Sequence, residues 1–294
     1  MPWTAPGAPG APPRLRAAVV GSPIGHSKSP LLHAAAYRAL GIDCSYTAVE
    51  VAEADLTDFV AGVRRSDGWR GLSVTMPLKG GMARLVDHTT DPASVLGVVN
   101  TVVVEGHGAD RVLTGHNTDV AGVANALAAA GVRRPERAAV LGGGGTAAAA
   151  VAGLARLGAT EVTVLVRRPE AATGLATIGT ALGIGVTVEP WGGAGRALAE
   201  SDVVISTLPP RAADALCPFR DGFRTDGTLL DVAYDPWPSA LAADWQRAGG
   251  TIVPGLDMLL HQAVEQVRLF FPDIGQDSAT VLNVMCDAVG APRH

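Results

Sequence analysis

An α/β fold in two domains is predicted from three features of this 294-residue chain. Short apolar runs alternate with helical patterns along nearly its whole length, the mark of strand-helix units stacked around parallel sheets. One such run leads straight into four consecutive glycines, Gly142, Gly143, Gly144 and Gly145, which open a helix of small residues. The length also suits two domains of ordinary size. The second domain is therefore expected to be a Rossmann-type, doubly wound nucleotide-binding unit, and the first an α/β unit of its own.

The elements follow in chain order. Residues 1–16 are rich in Pro, Gly and Ala, lack the apolar core of a signal peptide and read as a disordered tail. Strands are expected over 16–20, 45–50, 71–75, 99–105 and 111–114, with a hairpin across 106–110 joining the last two. A helix after the first strand is well punctuated: Ser29 can cap it, Pro30 suits its first turn, and Gly41 stops it. Leu31, Leu32, Ala35, Ala39 and Leu40 make its expected apolar face. A helix over 120–130 marks the junction, and strands over 138–141, 161–166, 186–188, 202–207, 228–232 and 251–253 build the second sheet. From about Leu256 the chain is expected to return to the first domain. The predicted domains are 17–119 with 256–294, and 120–255.

Composition narrows the function. A charge of 23 minus 28, or −5, with no basic run beyond Arg-Arg pairs leaves no footprint for nucleic acid or an anionic membrane. Three scattered cysteines, Cys44, Cys217 and Cys286, match neither a disulfide framework nor a zinc spacing and point to a reducing cytoplasm. The uncharged stretch over 138–155 is interrupted by its glycines and closed by Arg156, so a buried strand-turn-helix is expected and not a membrane span. No histidine pair has metal-binding spacing, and no metal is expected.

Gly142, Gly144 and Ala147 satisfy G-x-G-x-x-G/A directly after a strand and before a helix, the context in which free amides and a helix dipole receive a pyrophosphate. Thr146 lies in the same turn. The next strand ends in Arg167-Arg168, where an NAD-binding chain would place an acidic residue; arginine suits a 2′-phosphate, so NADP is the expected cofactor. At the other end of the chain, Ser27 and Ser29 flank the start of the 29–40 helix, where two hydroxyls and a helix end would favour a carboxylate. Lys79 follows Pro77, a plausible first helical residue, so its ammonium is expected close to a helix start, and Asp119 stands just before the junction helix.

These segments together resemble one family. Ser22-Pro23-Ile24-Gly25-His26-Ser27-Lys28-Ser29-Pro30, Val74-Thr75-Met76-Pro77-Leu78-Lys79, Asn100-Thr101, Asn117-Thr118-Asp119, the glycine cluster, Asp231-Val232-Ala233-Tyr234-Asp235-Pro236 and Gly255-Leu256-Asp257-Met258 through Gln262 occur in the order seen in shikimate dehydrogenases. The resemblance covers roughly 17–271. It implies NADP-linked reduction of 3-dehydroshikimate to shikimate, on the route through chorismate to the aromatic amino acids, by a monomer or homodimer. Its catalytic pair would be Lys79, as the acid that protonates the C3 oxygen, and Asp119. Ser27, Ser29, Thr75, Asn100, Asp119, Tyr234 and Gln262 would bind substrate. The glycine loop, Thr146, Arg167, Arg168, Thr207 and Gly255 would bind the cofactor. The chain departs from the family pattern at Ser73, at 166–168 and at 206–211. A quinate/shikimate dehydrogenase with relaxed substrate or NAD use is the alternative; a non-catalytic sensor on the same fold is a third reading, opposed by the intact Lys79 and Asp119.

Overall fold

The computed structural model describes residues 14–214, 226–274 and 277–293. Most of the expected tail, 1–13, and Cys217 lie outside them. Strands are β1 (Leu15–Gly21), β2 (Cys44–Glu50), β3 (Trp69–Val74), β4 (His88–Thr89), β5 (Thr101–Glu105), β6 (Val112–His116), β7 (Arg137–Leu141), β8 (Glu161–Val166), β9 (Gly185–Pro190), β10 (Val203–Ser206), β11 (Thr228–Asp231) and β12 (Thr251–Pro254). Helices are α1 (Ser29–Leu40), α2 (Leu56–Arg65), α3 (Lys79–Ala83), α4 (Ala93–Leu96), α5 (Asp119–Ala129), α6 (Gly145–Arg156), α7 (Gly174–Ala181), α8 (Ala194–Glu200), α9 (Ala240–Arg247), α10 (Gly255–Phe270) and α11 (Ser278–Val289). The fold class is α/β, as the alternation of patterns predicts.

The chain forms two compact units, one of residues 1–117 with 266–294 and one of 118–265. The second division falls inside α10. The expected return at 256 lies in the first turn of that helix, and a continuous 16-residue helix gives the sequence no break by which to mark where one unit ends.

The first unit holds a mixed sheet in the order β2-β1-β3-β5-β6-β4. β1 runs parallel to β2 and β3, while β5 and β6 form the expected antiparallel hairpin. Its period-two pattern sorts the faces: Leu72, Val74, Val102 and Val104 join Ala18, Val20 and Leu78 in one core. On the opposite face Gly71 lets Phe270 lie against the sheet, because a Cβ there would come within 2.1 Å of the ring. β1 begins at Leu15, so the expected tail is too long at its end by the start of this strand.

Two local expectations are corrected in α1. Gly41 does end it, in a left-handed turn with φ 66° that glycine adopts without strain. Ser29 does not cap it: the capping position is Lys28, Ser29 is the first helical residue, and the Ser27 hydroxyl accepts from the Ser29 amide at 3.3 Å. The buried side chains are Ser29, Leu32, His33, Ala36 and Tyr37, whereas Leu31 and Ala39, assigned to the apolar face from sequence, are exposed.

The second unit is wholly parallel, in the order β12-β11-β10-β7-β8-β9. Counted from β7 this is 3-2-1-4-5-6, the doubly wound arrangement whose strand order reverses between β7 and β10. Ala139, Leu141, Leu165, Val204 and Leu229 pack with Leu241 and Trp245 of α9 in its core. The fully buried Trp245 satisfies its indole N–H on the Gly227 carbonyl at 3.1 Å. Helix α6 is built almost entirely of small residues, and Gly153 permits close contact with Val123 of α5.

The start of α9 provides a direct stability test. Ser239 accepts from the Ala242 amide at 3.0 Å and donates to Asp231 Oδ2 at 2.6 Å, so one hydroxyl caps the helix and holds a buried carboxylate. Ser239→Ala is expected to lower unfolding stability by about 1–2 kcal/mol, since it removes a cap and a charged hydrogen bond together. An unshifted urea midpoint would contradict this.

Candidate active site

In the first unit, five expected site residues, Ser27, Ser29, Thr75, Lys79 and Asn100, lie around the edge where β1 and β3 end and β5 begins. Gly21 makes this possible: a Cβ there would lie 2.3 Å from Thr75 Cγ2, so only glycine lets the chain turn into the serine segment beside Thr75. The Thr75 amide donates to the Val20 carbonyl at 2.9 Å, and the Ser22 amide to the Met76 carbonyl at 3.2 Å. Two backbone bonds thus fix the serine segment beside the 75–79 segment. The Asn100 carbonyl accepts from the Val74 amide at 2.7 Å, and the Asn100 amide donates to the His116 carbonyl at 3.1 Å. Asn100 is thereby locked between β3 and β6.

Lys79 is the first residue of α3; Pro77 precedes the helix and is not its first residue, because the capping position is Leu78. The Lys79 carbonyl accepts from the Val99 amide at 3.1 Å, which sets its backbone next to the Asn100 segment. Ser27 and Lys79 are partly exposed, while Ser29 is buried. Tyr46 lies behind them, and its hydroxyl is within hydrogen-bonding reach of Ser29 and donates to Ser73 at 2.6 Å. Ser73, where the family pattern has asparagine, is buried and turned inward, donating to Gln266 Oε1 at 2.8 Å.

The second unit carries the rest. Asp119 is the first residue of α5 and buried, where a carboxylate complements the helix dipole. The Thr118 hydroxyl donates to Gln262 Oε1 at 3.3 Å, and Gln262 Nε2 donates to the Leu259 carbonyl at 3.0 Å, so both ends of that side chain are oriented. Tyr234 is half-buried in the loop after β11; burial raises its pKa, with the nearby Asp235 adding to the effect. Asp231 shapes this loop by accepting from the Ala233 amide at 3.2 Å.

The glycine loop lies where strand order reverses. Gly142 has φ +113°, and a Cβ there would lie 2.5 Å from Thr207 Oγ1. Thr207 in turn donates to the Leu141 carbonyl at 2.9 Å, tying the end of β10 to that of β7. A Cβ on Gly144 would meet nothing within 4 Å, so its surroundings are open at the start of α6, as a loop that admits phosphate requires. Ala147, in the last place of the motif, is fully buried. Arg167 and Arg168 are exposed immediately after β8. Gly255 has a packing reason of its own: a Cβ would lie 2.2 Å from the Val232 carbonyl oxygen.

Among the described residues no group of three or more His, Cys, Asp or Glu side chains can hold a metal ion, and no helix is long and apolar enough to cross a membrane. Sequence reasoning passed over Tyr46, His33, Thr101 and Gln266, which form a buried polar network behind the edge. Gln266 stands four residues after Gln262, a helical spacing, and Thr101 lies in the Asn100-Thr101 segment; these are the local signals available.

A parallel sheet of this order, with a glycine loop at its reversal point, defines the class: a dinucleotide-binding α/β protein that carries a second, polar-edged sheet. Residues 19–102 match the shikimate dehydrogenase substrate binding domain. Residues 137–233, containing the glycine loop, match the model described as NADP oxidoreductase coenzyme F420-dependent. A Rubrobacter xylanophilus protein named shikimate dehydrogenase (NADP(+)) is 39% identical over 265 residues, 87% of this chain and 92% of that protein. The crystal structure of Mycobacterium tuberculosis shikimate dehydrogenase gives a TM-score of 0.81 at 40% identity, covering 94% of this chain and 98% of that one. A Thermus thermophilus shikimate 5-dehydrogenase, solved in complex with NADP(H) and shikimate, gives 0.78 at 29% identity over 93% and 99%. The chain belongs to the shikimate dehydrogenase family.

Proposed function

We propose that this chain is an NADP-dependent oxidoreductase that reduces 3-dehydroshikimate to shikimate. The observation that carries the reading is the polar edge of the first unit, where Gly21 lets the serine segment and Thr75 pack side by side with Asn100 and Lys79 on adjoining backbone. The Ser27 and Ser29 hydroxyls at the start of α1 suit a carboxylate, and the neutral side chains of Thr75 and Asn100 suit hydroxyls. Gln262 and Tyr234 are neutral polar groups of the same kind in the second unit.

The second unit fits the cofactor. Gly142, Gly143, Gly144, Gly145 and Thr146 would hold the pyrophosphate, Arg167 and Arg168 the 2′-phosphate, and Thr207 and Gly255 the loops around the remainder. When bound, the nicotinamide supplies or accepts the hydride. The protein's part is the proton: Lys79 gives one to the C3 oxygen as the ketone is reduced and takes it back in the reverse direction, with Asp119 as its partner carboxylate.

A quinate-accepting enzyme is the second reading, favoured by Ser73: its short hydroxyl is engaged with Tyr46 and Gln266, leaving less side chain on that side of the site than asparagine would. Following nicotinamide absorbance with shikimate or quinate, and NADP or NAD, decides between them. Shikimate with NADP is expected to give the highest kcat/KM. Faster quinate oxidation would install the second reading, and absence of turnover with all four combinations would end both.

A further inference from the structure

Behind the polar edge, antiparallel register sets Ser73 directly opposite Thr101, and both hydroxyls meet the side chain of Gln266. Ser73 donates to Gln266 Oε1 at 2.8 Å, and Gln266 Nε2 donates to Thr101 Oγ1 at 2.9 Å. The amide cannot be turned around, because the Asn100 backbone carbonyl, which only accepts, lies 3.4 Å from Nε2. His33 is compatible with that orientation. Burial pushes its pKa down to about 3, so it is neutral. Its Nε2, 3.2 Å from Gln266 Oε1, must carry the proton, while Nδ1 makes no hydrogen bond. Tyr46, stacked on His33 at 3.9 Å, donates to Ser73.

Donor directions in the network are therefore fixed by their neighbours, from Tyr46 through Ser73 and Gln266 to Thr101. Thr101 has a single proton, and its oxygen already accepts from Gln266. That proton goes to Asn100 Oδ1 at 2.8 Å. With its side-chain oxygen held inside the network, the polar group Asn100 turns the other way is its NH2, a donor.

We propose that Thr101, held by Gln266, is a positioning residue that fixes which end of the Asn100 amide is presented to substrate, making Asn100 a donor to a substrate oxygen. This rests on the reading above, in which Asn100 binds the substrate ring.

The test is steady-state kinetics of the full chain with shikimate and NADP, using Thr101→Val, which keeps the volume and loses the hydroxyl, and Thr101→Ser, which does the reverse. Thr101→Val is expected to raise KM for shikimate about ten-fold with kcat and KM for NADP little changed, the pattern of lost uniform binding. Thr101→Ser should stay near wild type. A packing role predicts the opposite ranking, and that result would overturn the proposal. Gln266→Glu, which keeps the acceptor for Ser73 and removes the donor to Thr101, should raise KM as Thr101→Val does; an unchanged KM would also overturn it. Asn100→Ala separates the two levels. If it leaves KM for shikimate unchanged, the substrate-binding reading of Asn100 falls. If it raises KM, adding Thr101→Val to it should cost nothing further, whereas additive losses show that Thr101 does not act through Asn100.

Discussion

Lys79→Ala is expected to lower kcat for shikimate oxidation by roughly 10² to 10⁴, the usual contribution of a positioned acid-base group, while KM for shikimate changes little. Hydride transfer to a ketone leaves an oxygen that must gain a proton, and in the proposed polar edge Lys79 is the group able to give one. Thr75 and Asn100 are neutral and hold their protons too firmly for the task, and the serines are suited to a carboxylate. The variant also isolates chemistry from folding. The Lys79 backbone carbonyl accepts from the Val99 amide at 3.1 Å, a bond that alanine keeps. Alanine is also a good helix former for the first position of α3. Lys79→Met, which fills the side chain's volume without its amine, should lose as much kcat as Lys79→Ala. A near-normal kcat in either variant removes Lys79 from the mechanism.

Much of this arrangement can be read from the sequence because its signals are local. Short apolar runs mark all but one of the described strands; the exception, His88–Thr89, is too short to carry a pattern. Gly142 is legible because it answers a local backbone demand, a φ of +113° that side chains rarely adopt. The α1 errors have the opposite cause. Reading apolar residues as the buried face favours Leu31 over His33, yet His33 is buried because Tyr46 stacks on it and Gln266 hydrogen-bonds to it. Those partners are contributed by β2 and α10, with Gln266 separated from His33 by 233 positions, and no window along the chain contains them together. The division of the chain at Gln266 is hidden for a related reason, since an unbroken helix runs through it.

Replacing Arg167 and Arg168 together by alanine is expected to raise KM for NADPH by roughly 10²-fold, because two charge-assisted contacts to one phosphate are lost. KM for NADH, which lacks that phosphate, should move by no more than about three-fold, as befits a change at exposed residues away from the dinucleotide's common parts. The location supports this division of labour. Both arginines follow β8 directly, the place in a doubly wound unit from which the adenosine ribose is recognised, and both side chains are exposed and available to a dianion. Exposure also predicts a salt dependence: added salt should weaken NADPH binding in the wild type and narrow the gap between wild type and variant, since the Debye length falls from about 10 Å at 0.1 M to about 3 Å at 1 M. NADH binding should respond less in both proteins. A variant that loses NADPH and NADH equally would show that the pair supports the fold of the loop and does not read the phosphate, and the preference for NADP would then need another source in the chain.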